Sequence, residues 1–428
     1  MAKIRRETVL PGGIRLLTRQ MPHTRAASVG VWLAAGSRDE TRRENGLSHF
    51  IEHMLFKGTT RHSAMELARA FDAVGAHLNA FTSTESLCCH VTAMDEAMDT
   101  VLDLLADMIL TPVFDPAEVE REKSVILQEI EMGMDSPDEF LHQTAETAFW
   151  GEDHPLGRPI TGTRESLAAV TRNDLFTYYR KIFRPDRMFI TAAGNISHDR
   201  LETVFAPRFS ALPAPDHPFF RRPAPMPGSG CRTAFRDLGQ LHMSLMSPAP
   251  AAASPDRYAA SLLHILFGGN MSSCLFQEIR EKRGLAYSVY SFSSPGEDAG
   301  ANGLYAACDP GRAGECLDAV AQVVDQMQAV APASARLDDA KTYLKSGLIM
   351  AAESVEHQMS RLAQDRMVYG RHIPLDDVIQ AMEAVTAEEV REIARILPRP
   401  EDACLVLLGP EAAVRPLEER RSARPARG

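Results

Sequence analysis

Three polar side chains with the chemistry of a hydrolytic metal site lie close together between residues 47 and 55. This segment reads Leu-Ser-His-Phe-Ile-Glu-His-Met-Leu, which places His49, Glu52 and His53 on one face of a helix. Two imidazoles one helical turn apart can bind one Zn²⁺ through their ring nitrogens. The carboxylate next to the second imidazole can then reach an attacking water rather than the metal. The spacing therefore predicts His49 and His53 as zinc ligands and Glu52 as a general base.

An apolar stripe runs along the same segment, beside the polar face. It consists of Leu47, Phe50, Ile51, Met54 and Leu55. Such a stripe at helical spacing buries one side of a helix in a core, so the polar cluster is predicted at the margin of that core. The alternative is that the two histidines are ordinary core or surface residues that have this spacing by chance.

A catalytic zinc needs a third protein ligand and an open position for water. The acid-rich run at residues 118–132 has helical periodicity, and within it Glu122 and Glu129 share one face, two turns apart. Glu129 is a candidate third ligand, and Glu122 is a candidate hydrogen-bond partner for a ligating imidazole. By spacing alone Glu131 is an equally good ligand, and a solvated acidic face is the ordinary role of such a run.

The composition indicates a folded chain with a large core. Of the 428 residues, 45% are hydrophobic and 24% are charged, which excludes global disorder and favours two or three domains. The net charge of -11 argues against nucleic acid or an anionic membrane as the main partner. There is no stretch of about 18 apolar residues and no signal-peptide pattern. Seven cysteines without paired spacing predict reduced thiols, and together these features predict a cytoplasmic protein.

A weak internal repeat divides the chain. The segment His53–Phe56 is echoed by His264–Phe267, 211 positions later. On this register, Ala260 and Leu263 stand where the first half has its first histidine and its glutamate. If the halves are duplicated domains, only the first has kept the polar residues.

Beyond these patterns, the chain resembles the pitrilysin-type zinc metallopeptidases, specifically the half-length branch that includes the mitochondrial processing peptidase subunits and their bacterial relatives. The resemblance covers nearly the whole chain, and its first motif is the inverted H-x-x-E-H signature. The segments that carry it are Gly46–Thr59, Asn79–Ser83, Glu120–Glu122 with Val125–Ile130, His154–Thr163 and Leu275–Tyr287.

This resemblance implies a zinc-dependent endopeptidase that hydrolyses peptides or unfolded polypeptide segments. In the family the third ligand lies about 76 residues after the second histidine, which selects Glu129. By the same resemblance Glu52 is the general base, Glu122 is a supporting acidic residue, and Zn²⁺ is the cofactor.

Two further groups of residues are assigned by the resemblance. One is the edge strand that pairs with an extended substrate backbone. Its candidate substrate-binding residues are Asn79, Ala80, Phe81, Thr82 and Ser83. The other is an Arg/Tyr pair, Arg280 and Tyr287, which helps to hold substrate and to stabilise the developing oxyanion. By residue type alone, this second segment is a charged helix end with a structural role, in which Arg283 is an equally good candidate.

Two positions depart from the pattern of many relatives. Cys274 stands where they have arginine, and the run Thr82–Ser86 lacks their basic residue. These departures concern the preference for substrate side chains and leave the zinc site unchanged.

The fold implied by the resemblance is α+β, with two homologous αβ domains, each a mainly antiparallel sheet packed with helices, of the LuxS/processing-peptidase-like metallopeptidase type. Half-length subunits of this family pair into a clam-like chamber in which the Arg/Tyr pair faces the partner's zinc. Since this chain carries both features, a homodimer with two composite sites is predicted. The alternative is a non-catalytic structural or partner subunit of a processing-peptidase-like complex, although such relatives typically lose the zinc residues.

The domain division predicted from the sequence follows chain order. Residues 1–211 form a zinc-binding catalytic domain, and residues 212–230 form a proline-rich linker. Residues 231–414 form the inactive duplicate with the Arg/Tyr pair, and residues 415–428 form a basic tail.

Overall fold

The computed structural model describes residues 5–215 and 217–423. Within these ranges the chain forms β-strands that belong to two sheets. The strands are β1 (Arg5–Val9), β2 (Arg15–Gln20), β3 (Ala26–Leu33), β4 (His77–Thr82), β5 (Leu87–Met94), β6 (Met188–Gly194), β7 (Gly230–Phe235), β8 (Leu241–Ala249), β9 (Ala286–Pro295), β10 (Gly300–Cys308) and β11 (Cys404–Gly409).

The α-helices of the same ranges pack against these sheets. They are α1 (Leu47–Leu55), α2 (Ala64–Ala73), α3 (Met98–Leu110), α4 (Pro116–Asp135), α5 (Pro137–Trp150), α6 (Arg164–Ala168), α7 (Arg172–Ile182), α8 (His198–Phe209), α9 (Arg257–His264), α10 (Ala313–Ala329), α11 (Ser334–Ala352), α12 (Val355–Tyr369), α13 (Leu375–Ala384), α14 (Ala387–Ile393) and α15 (Glu411–Ser422). Two π-helical segments, Ile265–Gly269 and Phe276–Lys282, lie in the second half.

Of the described residues, the first compact unit comprises those up to Glu131 together with those of Pro159–Arg222 and Ile349–His372. Its sheet has the strand order β1-β2-β6-β3-β5-β4, in which only the β2–β6 pair is parallel. Helices α1 and α3 pack on one face and α12 packs on the other. Alternating apolar residues on both faces explain why the sheet is covered on both sides.

The second compact unit comprises Met132–Arg158, Pro223–Leu348 and the described residues from Ile373 onward. Its sheet has the order β7-β11-β8-β10-β9, in which only the β7–β11 pair is parallel. Helix α5 packs on β8 and β11. There Leu141 and Phe149 join one apolar cluster with Met246 and Val406.

The two sheets repeat one topology. Strands β2 to β6 are arranged in the first sheet as strands β7 to β11 are arranged in the second, with the parallel pair in the same place. The predicted fold class, two αβ domains with mainly antiparallel sheets, is confirmed. The duplication suggested by the short repeat is thus seen in the order and direction of the strands.

The compact units do not follow chain order. Residues 132–158, which the sequence-based division places with the first domain, belong to the second unit, and residues 349–372 belong to the first. The physical reason is that each sheet has two apolar faces to cover, and helix periodicity does not reveal which sheet a helix will cover. At the expected linker, the described residues of 212–229 form neither helix nor strand, and β7 begins at Gly230.

The expected basic tail begins inside a helix. Helix α15 continues to Ser422, with Val414 and Leu417 buried in the core of the second unit, and residues 424–428 lie outside the described ranges. None of the helices described in residues 5–215 and 217–423 is long and apolar enough to cross a membrane. All seven cysteines are free thiols.

Met359 is one of the residues that pack α12 against the first sheet. This side chain is fully buried, and Trp32 Nε1 donates to its Sδ at 3.4 Å. Gly30 makes room for it, because a Cβ atom there would lie 2.6 Å from the same sulfur.

Replacing Met359 by Ala should therefore lower the melting temperature measured by calorimetry, with a stability loss of about 2–5 kcal/mol from the lost contacts and the cavity. Met350 of α11 is 69% exposed and provides a matched control, since Met350→Ala should change stability by no more than about 0.5 kcal/mol. Equal melting temperatures for the two variants would contradict this packing of α12.

Candidate metal centre

Helix α1 presents the polar face of the site because its other side is buried. The predicted helix is confirmed, and it packs against β4 and β5. Its buried apolar residues are Leu47, Phe50, Ile51, Met54 and Leu55. Full burial of such side chains stabilises a structure by about 1.5–3 kcal/mol each, which fixes the rotation of the helix about its axis. His49, Glu52 and His53 consequently lie along the margin of the core.

Three potential ligand atoms meet beside α1. One atom each from His49, His53 and Glu129 lies within 4.8 Å of the others. The Nε2 atom of His49 is 3.7 Å from Oε1 of Glu129, and Nε2 of His53 is 3.7 Å from Oε2 of the same carboxylate. Two imidazole nitrogens and one carboxylate oxygen are a known donor set of catalytic zinc, with room for a fourth ligand. The residues present therefore fit Zn²⁺ in number and in chemistry.

The orientation of α4 brings Glu129 rather than Glu131 to the histidines. Residues two positions apart on a helix point about 200° apart around its axis. Glu131 accordingly forms an ion pair with Arg164, away from the cluster. The choice that spacing alone left open is decided by which face of α4 points toward the imidazoles.

The rings of His49 and His53 have different surroundings. Nδ1 of His53 is 3.2 Å from Oε2 of Glu122. Because a carboxylate accepts hydrogen bonds, we assign the proton to Nδ1, which leaves the Nε2 lone pair for a metal. Burial, and to a lesser degree the charge of His53, lowers the pKa of His49 to about 4, so His49 is neutral at physiological pH. Among the described residues, Nδ1 of His49 has no hydrogen-bond partner.

Glu122 is a buried carboxylate with two partners from the end of α1 and the turn after it. Its side chain is 5% exposed, and its second oxygen lies 2.6 Å from Nζ of Lys57. A buried carboxylate is costly without a compensating charge, which the ammonium group of Lys57 supplies. The sequence predicted the contact between Glu122 and an imidazole but missed Lys57. The available signal was its position four residues after His53, one helical turn further along.

Glu52 lies next to the cluster and is oriented by Thr82, a residue of strand β4. The hydroxyl of Thr82 donates to Oε2 of Glu52 at 2.6 Å. Burial raises the pKa of Glu52, while the hydrogen bond from Thr82 and the charge of His53 act in the opposite direction. Thr82 was expected in the substrate strand, but its contact with Glu52 was not predicted.

Strand β4 lies at the end of the first sheet. It pairs with β5 alone among the described strands, so its second edge has no partner strand, and the N–H of Ala80 donates to Oδ1 of Asn79 at 2.9 Å. Of the five residues expected to bind substrate, four lie in β4. The fifth, Ser83, lies in the turn that follows, where its hydroxyl is 2.9 Å from that of Ser86.

The structure brings Arg280 and Tyr287 together in the second unit. The guanidinium of Arg280 lies over the ring of Tyr287, 4.7 Å from its centroid, and the Tyr287 side chain is 77% exposed. Arg283 instead donates to Glu278 at 2.9 Å. Arg280 is thus the arginine that contacts the tyrosine, a distinction that residue types alone did not make.

Comparison with known families gives two adjoining matches. Residues 15–164 match the family described as "Insulinase (Peptidase family M16)", and residues 169–344 match "Peptidase M16 inactive domain". The first match contains the cluster of potential ligands, and the second contains the Arg/Tyr pair. The matches span well over half of the chain, which belongs to peptidase family M16, the pitrilysin-type family.

Curated relatives match over nearly their whole length. A protein named as an uncharacterized zinc protease of Mycobacterium tuberculosis (strain ATCC 25618 / H37Rv) is 38% identical over 424 residues, which are 97% of this chain and 95% of the relative. The uncharacterized zinc protease YmxG of Bacillus subtilis (strain 168) is 35% identical over 404 residues, 93% of this chain and 96% of the relative. These lengths place the chain in the half-length branch.

Solved structures share the fold. A crystal structure described as a peptidase M16 inactive domain from Pseudomonas fluorescens superposes with a TM-score of 0.88 at 21% identity and covers 95% of this chain and 98% of that one. A protease from Helicobacter pylori gives a TM-score of 0.85 at 20% identity, with 95% and 99% covered. These likenesses support the assignment of the fold.

Replacing Lys57 by Met should weaken zinc binding by about 10–100-fold, because Glu122 would lose its compensating charge and would hold the His53 imidazole less firmly. Competition with a chromogenic chelator measures this affinity. Lys282, 67% exposed and paired with Glu278 on the surface, offers the control variant Lys282→Met. Equal zinc affinities for the two variants would contradict a role of Lys57 at the site.

Proposed function

We propose that this chain is a zinc-dependent endopeptidase that acts on peptides or unfolded polypeptide segments. The observation that carries the proposal is the convergence of His49, His53 and Glu129 beside Glu52, next to a strand with an open edge. Membership of family M16 and the zinc proteases among the relatives support the same conclusion. A protein that only binds peptides has no need of three converging metal donors.

His49, His53 and Glu129 would hold the zinc ion. When bound, zinc supplies a Lewis acid that polarises the scissile carbonyl and makes water a stronger nucleophile at neutral pH. The protein's own part in metal binding is to keep His49 neutral and to fix the His53 ring through Glu122.

Glu52 is the general base of the proposed reaction. Its carboxylate takes a proton from the attacking water, holds it on a carboxyl oxygen and passes it to the departing amine. The hydroxyl of Thr82 holds one oxygen of this carboxylate at 2.6 Å, so the group is already oriented before substrate arrives.

Substrate is proposed to bind as an added strand along the open edge of β4. Backbone hydrogen bonds then supply affinity that does not depend on sequence, which suits unfolded segments and peptides. Because Thr82 belongs to β4 and also contacts Glu52, this mode of binding would bring the peptide backbone next to the base.

Arg280 and Tyr287 are proposed to complete the site across a homodimer. A guanidinium and a phenol are suitable donors to a developing oxyanion, and the exposure of Tyr287 leaves it accessible. This assembly is a clam-like chamber in which the Arg280/Tyr287 pair of one protomer faces the metal ligands of the other. The cytoplasmic location expected from the sequence is part of the same proposal.

Replacing Glu52 by Gln should lower the kcat/KM for peptide cleavage by about 10²–10⁴-fold, because an amide cannot take the proton. Zinc content should stay at one ion per chain, since the ligands are unchanged. Mass spectrometry of a digested peptide mixture measures cleavage. The control is Glu131→Gln on the exposed face of α4, which should cleave as the wild type does.

Wild-type cleavage should also stop with a zinc chelator and return when zinc is restored. Turnover retained by the Glu52→Gln variant would rule out its role as base. A wild-type chain that holds one zinc and cleaves nothing would favour the non-catalytic partner subunit.

Mixing two inactive variants tests the composite site. One protomer carries Glu52→Gln and the other carries Arg280→Ala with Tyr287→Phe. If sites form across a twofold interface and subunits exchange at random, about a quarter of wild-type activity should return, because half of the dimers have one intact site. Differently tagged protomers verify the exchange, and exchange without any rescue would contradict the shared site.

A further inference from the structure

Glu40 is a fully buried carboxylate at the start of helix α1. It is 2% exposed and lies in the loop before the helix. The backbone N–H of Gly46 donates to its Oε2 at 2.8 Å, and the backbone N–H of Ser48 donates to its Oε1 at 2.7 Å. The two oxygens of one side chain therefore hold both the residue before α1 and the second residue within it.

Helix α1 has no cap of its own. The first N–H groups of a helix lack partners inside the helix, and a polar side chain at the residue before it usually accepts from them. Here that residue is Gly46, which has no side chain, and the first turn of α1 contains no acidic residue. Glu40 supplies the missing acceptor from outside the helix, and in its ionised form it also brings the negative charge that a helix N-terminus favours.

Glycine at position 46 is required by close packing. Its φ angle is 94°, in the left-handed region, and a Cβ atom there would lie 2.8 Å from Cα of Gly162. A side-chain cap at this position would therefore collide with the backbone of the neighbouring loop, and the acceptor has to come from elsewhere.

Further donors surround the same carboxylate. Asn45 Nδ2 lies 3.4 Å from Oε2 of Glu40 and also donates to the carbonyl of Pro159 at 2.9 Å. The Ser48 hydroxyl is 2.9 Å from that of Tyr178. Burial raises the pKa of Glu40 to about 7, and the hydrogen bonds from Ser48, Gly46 and Asn45 act against that rise. These donors are complementary to an ionised carboxylate.

The position of the backbone in the first turn of α1 affects the orientation of His49, the residue after Ser48, more than that of His53. The His53 ring is held by Glu122, whereas Nδ1 of His49 has no hydrogen-bond partner among the described residues. The direction of its Nε2 lone pair therefore depends on where α1 begins and on the packing around the ring.

We propose that Glu40 is a positioning residue of the metal centre, which aims His49 at the metal by fixing the first turn of α1. The inference rests on the metal site of the proposed function. It adds a determinant of zinc affinity that is neither a ligand nor a hydrogen-bond partner of a ligand's ring.

The variant Glu40→Gln tests this role. The amide has nearly the same size but turns one acceptor into a donor, which must then face the N–H of Gly46 or of Ser48. The zinc dissociation constant, measured by chelator competition, should rise about 10–100-fold, as for other supports of a ligand. The absorption spectrum of the Co²⁺-loaded variant should also change, because it reports the geometry of the ligands.

A matched control separates positioning from loss of stability. Ser63 caps α2 in the same unit by accepting from the N–H of Glu66, so Ser63→Ala weakens a helix start that carries no ligand. Both variants are compared at a temperature where circular dichroism shows them folded. Ser63→Ala should keep the wild-type zinc affinity and Co²⁺ spectrum even if its melting temperature falls.

A folded Glu40→Gln variant with wild-type zinc affinity and spectrum would overturn the inference. If that variant does not fold, Glu40→Asp takes its place, because a carboxylate on a side chain one methylene shorter keeps the charge but lies too far back to accept from both N–H groups as Glu40 does. Zinc affinity should then fall a few-fold, and an unchanged affinity would overturn the inference as well. A wild-type chain that binds no zinc would instead contradict the metal site, which makes the two failures distinguishable.

Discussion

The burial of one side of helix α1 against the first sheet is the constraint on which the site depends. A short helix with five fully or nearly fully buried apolar residues has one rotation about its axis, and that rotation directs its two imidazoles to the same side. The carboxylate that meets them comes from α4, a separate helix with its own buried residues Val119, Glu122 and Ile126. The convergence of donors is therefore a consequence of core packing, because no bond within the cluster could by itself hold two helices in register.

Two buried carboxylates act on α1 from opposite ends. Glu40 accepts hydrogen bonds from the N–H groups at its start. Glu122 accepts a hydrogen bond from the His53 ring and forms an ion pair with the ammonium of Lys57 at its end. Each carboxylate is costly to bury, and each is compensated by donors from this helix or the residues flanking it. The position of Glu40 also suits the helix dipole, which favours a negative group at the N-terminus. The same contacts thus stabilise helix α1 and orient the two imidazoles.

The second unit shows that the fold does not require this chemistry. Its five strands repeat the order and direction of five strands in the first sheet, and α9 follows β8 as α1 follows β3. At the repeat's positions for the first histidine and the glutamate it has Ala260 and Leu263, and the segment after α9 is π-helical. The matching family is described as an inactive domain. Apolar strands and helices preserve the architecture, while the polar face of one helix is free to change.

Local patterns in the sequence determined the elements: the apolar stripe of α1, the helix that carries Glu129, and the polar face with its zinc-type spacing. The family resemblance added the edge strand β4 and the selection of Glu129 and Arg280. Periodicity reports which side of a segment is apolar, so these features are readable without a structure. Only the tertiary structure decided which sheet α5 and α12 cover, and it alone revealed the contacts of Lys57 and Glu40. Those contacts join residues that come close together only when whole helices and strands pack against one another. Packing between segments that are distant in the sequence produces no periodic pattern in it.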